Sequence, residues 1–169
     1  MSGSLLADAF AHHVWAMLRL MDTCQTLDAD ELETRYPGLF GSILDTMRHI
    51  VGADCGYLFV MSRGERPLID EDKIGLAELR GVMESNGAAW ARVLAGDPDP
   101  DEVLERLRDD GSQTRAPFGI RLAQALHHGS DHRSQICTAL TMLGVTPPDI
   151  DVWDFGWTEG RVAEVPPSA

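Results

Sequence analysis

Apolar residues return every three or four positions in four stretches of the chain, the spacing that gathers them on one side of an α-helix. The first stretch, residues 4–27, carries Leu6, Phe10, Val14, Met17, Leu18 and Met21 on one side, and Asp28, Asp30 and Pro37-Gly38 interrupt it. The second, residues 42–61, turns Ile43, Met47, Ile50, Cys55, Leu58 and Phe59 inward, with Ser42 as its N-cap and Arg63-Gly64 and Pro67 at its end. A third, residues 75–94, keeps the rhythm through Leu76, Leu79, Val82, Met83, Trp90, Val93 and Leu94, and Gly96 suits its C-terminal cap. The fourth, residues 118–143, carries Leu122, Leu126, Ile136, Leu140 and Leu143; Gly144 closes it before Pro147 and Pro148 forbid continuation. Four such rods, each about 30 Å long, predict an all-α four-helix bundle, a fold able to mount polar side chains in its core.

Two segments fall outside this rhythm. Residues 97–116 support two readings, a short helix through Val103, Leu104 and Leu107 or a hairpin turning at Asp110-Gly111. After Pro147, the residues Ile150, Val152, Trp153, Phe155 and Trp157 are too apolar to stay in water, so the C-terminal segment is expected to fold back over the bundle, with only the final residues frayed.

At 169 residues the chain predicts one domain, residues 1–169, with its own core. The hydrophobic fraction of 44% is ordinary, and no apolar run reaches the ~20 residues that span a bilayer. The first residues lack a basic leader and an apolar export stretch, which points to the cytoplasm. Cys24, Cys55 and Cys137 are odd in number and far apart, as reduced thiols are. A formal charge of −13 repels phosphate backbones and anionic lipid, so neither nucleic acid nor a membrane is an expected partner.

The candidate chemistry lies in the fourth stretch, at His127-His128-Gly129-Ser130-Asp131-His132-Arg133-Ser134-Gln135. Histidines four residues apart share a helix face with Cβ atoms about 5–6 Å apart, within reach of one metal ion. His128 and His132 have that spacing, whereas His127 is turned about 100° away. Alone, such a pair is a weak signal, and His49 alone reads as a hydrogen-bonded core histidine. Together, His49, His128 and His132 supply three imidazole nitrogens and leave coordination positions open to water or substrate. Imidazole suits Zn, Ni, Fe or Cu better than Mg or Ca. Gly129 stands where a zincin requires Glu, and no Glu precedes any histidine by three residues, so protease and di-iron patterns are both excluded in favour of a mononuclear site. Helical spacing makes Asp45, Asp131 and Gln135 candidates to orient an imidazole. Arg133 is a candidate for a substrate carboxylate, or for a salt bridge with an acidic neighbour.

The stretch His128-Gly129-Ser130-Asp131-His132-Arg133-Ser134-Gln135 resembles the H-x-x-x-H-R-G-Q motif of the DinB/YfiT-like superfamily, with Ser134 in place of the usual Gly. Phe10-Ala11-His12-His13-Val14-Trp15-Ala16 is similar to that family's first helix, with His13 where Asn is usual. Asp45-Thr46-Met47-Arg48-His49-Ile50 resembles the helix that donates the first metal histidine, and Leu143-Gly144-Val145-Thr146-Pro147-Pro148-Asp149-Ile150-Asp151 the closing segment. The resemblance implies an up-down-down-up four-helix bundle, usually a homodimer, with His49, His128 and His132 as metal ligands. Characterised members of that superfamily include thiol S-transferases and mycothiol-dependent isomerases, so the resemblance also implies a divalent transition metal that activates a low-molecular-weight thiol, while most members have no assigned reaction.

Two classes of function follow as expectations: a metal-dependent transferase or hydrolase acting on a small-molecule substrate, and a non-catalytic, stress-associated metal-binding protein. A helical interaction domain without metal is the third, and it requires all three histidines to be incidental.

Overall fold

Each of the four periodic stretches folds into one long helix whose ends lie within three residues of those read from the pattern. The computed structural model describes residues 6–108, 110–165 and 167, so the expected helix start at Ser4 and most of the expected frayed end lie outside the described residues. The order is α1 (Ala7–Cys24), α2 (Ala29–Leu32), α3 (Ile43–Met61), α4 (Leu76–Ala95), β1 (Val103–Leu107), β2 (Gln113–Pro117), α5 (Phe118–Met142) and α6 (Val152–Thr158). The protein is therefore mostly helical, and the all-α expectation is corrected by one small antiparallel sheet.

End chemistry sets the boundaries. The Ser42 hydroxyl accepts from the Asp45 amide while the Asp45 carboxylate accepts from the Ser42 amide, a reciprocal capping box that satisfies two free donors at the start of α3. Asp28 and Glu31 form the same device at α2, a one-turn helix that apolar periodicity could not reveal because none of its residues is buried. At the other end of α5, Gly144 takes φ +79°, and the Val145 amide reaches back to the Leu140 carbonyl, closing the helix as a Schellman motif.

Strands β1 and β2 pair as an antiparallel hairpin: Val103 pairs with Pro117 and Leu107 with Gln113. Burial alternates along β1, so Leu104 and Arg106 face inward while Val103, Glu105 and Leu107 face water, a period of two that rules out the short-helix reading.

Among the long helices, α1 packs on α4 and α5, and α3 packs on the same two. Two apolar clusters fill the space between them. One gathers Met17, Leu20, Met21, Met47, Ile50, Leu79, Met83, Ile136 and Leu140, and the other Phe10, Leu58, Trp90, Leu94, Phe118 and Leu122. Five residues expected inside are exposed: Leu6, which precedes the first turn of α1, Phe59, rotated about 100° from buried Leu58, and Val152, Trp153 and Trp157 of the C-terminal segment, which α6 turns outward as it buries Phe155. The C-terminal segment does fold back, since Phe155 of α6 is buried against Trp15 and the His12 Nε2–H donates to the Ile150 carbonyl at 2.8 Å. No helix among the described residues is long and apolar enough to cross a membrane.

Candidate metal centre

The i, i+4 spacing on α5 puts the rings of His128 and His132 4.5 Å apart. Helix α3 lies against α5, and brings His49 to both: its ring is 4.8 Å from that of His128 and 5.0 Å from that of His132. One nitrogen from each ring lies within 4.8 Å of the other two, and the Nε2 atoms of His49 and His128 are 3.0 Å apart. The cluster is half-buried, with access to solvent.

The nitrogens are prepared as donors to an ion. His132 Nδ1–H donates to Gln135 Oε1 at 2.8 Å, which fixes that tautomer and leaves Nε2 with a free lone pair. His49 Nδ1 faces Glu71 Oε2 at 3.8 Å, which favours a proton on that nitrogen and a bare Nε2. Burial, then repulsion from His132 and His49, pushes the His128 pKa down to about 4, and burial lowers that of His49 as well. Both rings are neutral at pH 7, as ligands must be. A tetrahedral ion with bonds of ~2.0–2.1 Å separates its nitrogens by roughly 3.3 Å. The His49–His128 pair nearly meets that spacing, so the three residues fit a metal ion of the imidazole-preferring class.

Of the orienting residues expected from spacing, Gln135 performs that role. Asp45 does not: its carboxylate is committed to the α3 cap and to Arg35 and Arg48, which hold it well below the usual carboxylate range. Asp131 is exposed, as is His127. The three cysteines are free, and burial raises each thiol, Cys24 to about 12, which disfavours the reactive thiolate at all three.

Three contributors lay beyond sequence spacing. Phe40, from the segment before α3, stacks on His49 with ring centroids 3.9 Å apart and covers one face of the site. Glu71 adds a carboxylate beside His49, and burial raises its pKa. The third is a buried polar chain beneath the three histidines. His13 of α1 donates from Nε2 to Asp54 of α3 at 2.8 Å, and accepts at Nδ1 from Arg133 of α5 at 2.9 Å. These residues are 0%, 1% and 3% exposed. Arg133 also donates to Ser130, so its guanidinium is spent inside the protein, which corrects the idea that it meets a substrate carboxylate. The chain of bonds links the turn of α5 that carries His128 and His132 to α3, five residues beyond His49. Gly129 leaves the necessary space, because a Cβ there would run into His13 and Arg133.

A cavity of about 1190 Å³ opens elsewhere, between α1, α4 and α6, and holds none of the three histidines. Its lining of Phe10, Trp15, Trp90 and Phe155 continues the apolar core.

Comparison with curated proteins gives no match. Comparison with family models does: residues 1–164 match the DinB family. With nearly the whole chain matched and the three histidines gathered on two helices, this protein belongs to the DinB family.

Proposed function

We propose that the protein is a metal-dependent enzyme of the thiol-transferase or hydrolase type, with His49, His128 and His132 as the ligands of one divalent transition ion, Zn, Ni or Fe. The observation that carries this reading is the meeting of three imidazole nitrogens, from residues 79 positions apart in sequence, within 4.8 Å. When bound, such an ion supplies Lewis acidity that lowers the pKa of a thiol or water and so yields a nucleophile at neutral pH. Gln135 holds the His132 ring in its ligating tautomer, and Phe40 excludes water from one face of His49. Glu71, with its raised pKa and exposed edge, is the group placed to take a proton from a small-molecule substrate or coreactant.

The same reading carries the remaining expectations of family membership: an up-down-down-up order for the four long helices, one domain over the whole chain, a homodimer, a cytoplasmic location and a low-molecular-weight thiol as cosubstrate. The second reading, a non-catalytic metal-binding protein, draws on the fact that none of the residues between His128 and His132 is a buried acid or base.

Metal analysis of the purified protein tests the site. One equivalent of metal is expected in the wild type, and none in a His128→Ala/His132→Ala variant whose helical circular dichroism is unchanged. Equal metal content in both would remove the assignment. Metal-loaded protein tested with several low-molecular-weight thiols and a model electrophile then separates the enzyme from the binding protein, because only the enzyme gives a rate that the variant abolishes.

A further inference from the structure

Two arginines stand together where α3, α5 and the hairpin meet, and among the described residues no carboxylate forms a contact salt bridge with either, although Glu71 is near enough to Arg106 to be attracted by it. Arg121 of α5 is only 6% exposed. Its Nη2 donates to the carbonyls of Leu104 and Thr114, one on each strand, while its Nε has no partner. Thr114 lies directly opposite Arg106 in the strand register, which sets the two residues' backbones about 5 Å apart. Arg106 points inward and lies over Gly56 of α3, its Nη1 3.1 Å from where a Cβ would stand. The protein carries 27 acidic and 14 basic residues. Two neighbouring guanidiniums without an ion pair are therefore unusual here, and a buried unpaired cation is costly unless an anion joins it. Each guanidinium lowers the cost of binding an oxyanion, to which its planar fork is matched.

Their position relative to the histidines is set by helix geometry. Arg121 is seven residues before His128 on α5, and Gly56 seven residues after His49 on α3, so both pairs share a helix face across two turns. Two turns are about 10.5 Å. Between the ends stand Tyr57, whose ring centroid is 6.5 Å from that of His128, and Gly52, above which the Glu71 side chain lies.

We propose that Arg106 and Arg121 form an oxyanion subsite that takes the carboxylate or phosphate of a small substrate whose reacting end, about 10 Å away, lies at the three histidines. The length of the substrate rests on the metal-centre reading, whereas the anion site itself does not. Glu71 competes for the field of Arg106 and so limits how tightly the anion is held.

Calorimetric titration of the metal-free protein with inorganic phosphate and with acetate tests the subsite. Saturable binding of at least one is expected, weakened tenfold or more by Arg106→Gln, strengthened by Glu71→Gln, and unchanged by Arg63→Gln, which removes an exposed arginine already paired with Glu102. Preference for phosphate or for acetate identifies which oxyanion the subsite takes. Binding of neither anion, or equal binding by wild type and Arg106→Gln, would overturn the proposal. Zinc titration of the same samples keeps the two readings apart. Loss of anion binding with zinc retained condemns the subsite alone, and anion binding without zinc condemns the metal centre alone.

Discussion

Gly129 sits between His128 and the rest of the motif because His13 and Arg133 need the volume that any side chain there would fill. Gly129→Ala forces those two groups apart in a region with no room to relax, and overpacking of this kind costs about 1–3 kcal/mol. A matching drop in urea stability, with metal affinity lowered in the same variant, is the expected result; stability equal to wild type would show that the buried chain of bonds yields freely. At this scale the sequence was informative wherever partners share a helix. His128, His132 and Gln135 were legible because three- and four-residue spacings determine which side chains meet. The His13–Asp54–Arg133 chain was not, since its members are 41 and 120 residues apart and only packing brings them together. Asp45 shows the opposite failure: correct spacing from His49, yet its carboxylate is more strongly held by backbone donors at the helix start.

At the scale of elements, the ends of α3 matter most, because that helix delivers His49. Replacing Ser42 by Ala removes the side-chain acceptor for the Asp45 amide, and loss of such a cap costs about 1 kcal/mol. The expected outcome is a lower melting temperature with zinc affinity within a few-fold of wild type, since the cap lies two turns from His49. A large loss of affinity would mean that the cap also sets the azimuth of His49. The long helices were readable because each buries a continuous stripe with a period of 3.6. The hairpin was ambiguous because Val103, Leu104 and Leu107 fit either period over so few residues, and Arg121, whose guanidinium donates to a carbonyl on each strand, is a contact that spacing along the chain does not reveal. The short α2 offered only its capping residues, Asp28 and Glu31, with no apolar rhythm to accompany them.

For the whole molecule, the C-terminal segment is fastened to α1 through His12, and that contact makes stability depend on pH. Burial lowers the His12 pKa from 6.5 in the fold, outweighing the Ile150 carbonyl, which raises it. Above pH 6.5 the ring is neutral whether the chain is folded or not. As the pH falls below 6.5 the unfolded chain takes up the proton first, so folding stability is lost progressively toward the lower, folded-state value. Urea unfolding midpoints between pH 7.5 and 5 are expected to fall less steeply in His12→Gln than in wild type; parallel slopes would remove His12 from the account. The pattern of apolar residues announced this fold-back in general terms, through Phe155 and its neighbours, but not its polar anchor, because Ile150 contributes through a backbone oxygen that any residue possesses.

The distance along the chain between His49 and His128 has a mechanical meaning. In an unfolded chain the two α5 histidines remain neighbours, while the third wanders at the far end of a 79-residue separation. An ion held by all three is then a removable staple: it closes that loop only in the folded protein, and by mass action resists unfolding more strongly as its free concentration rises. A chelator added to the folded protein would unclip the two rods without breaking a covalent bond.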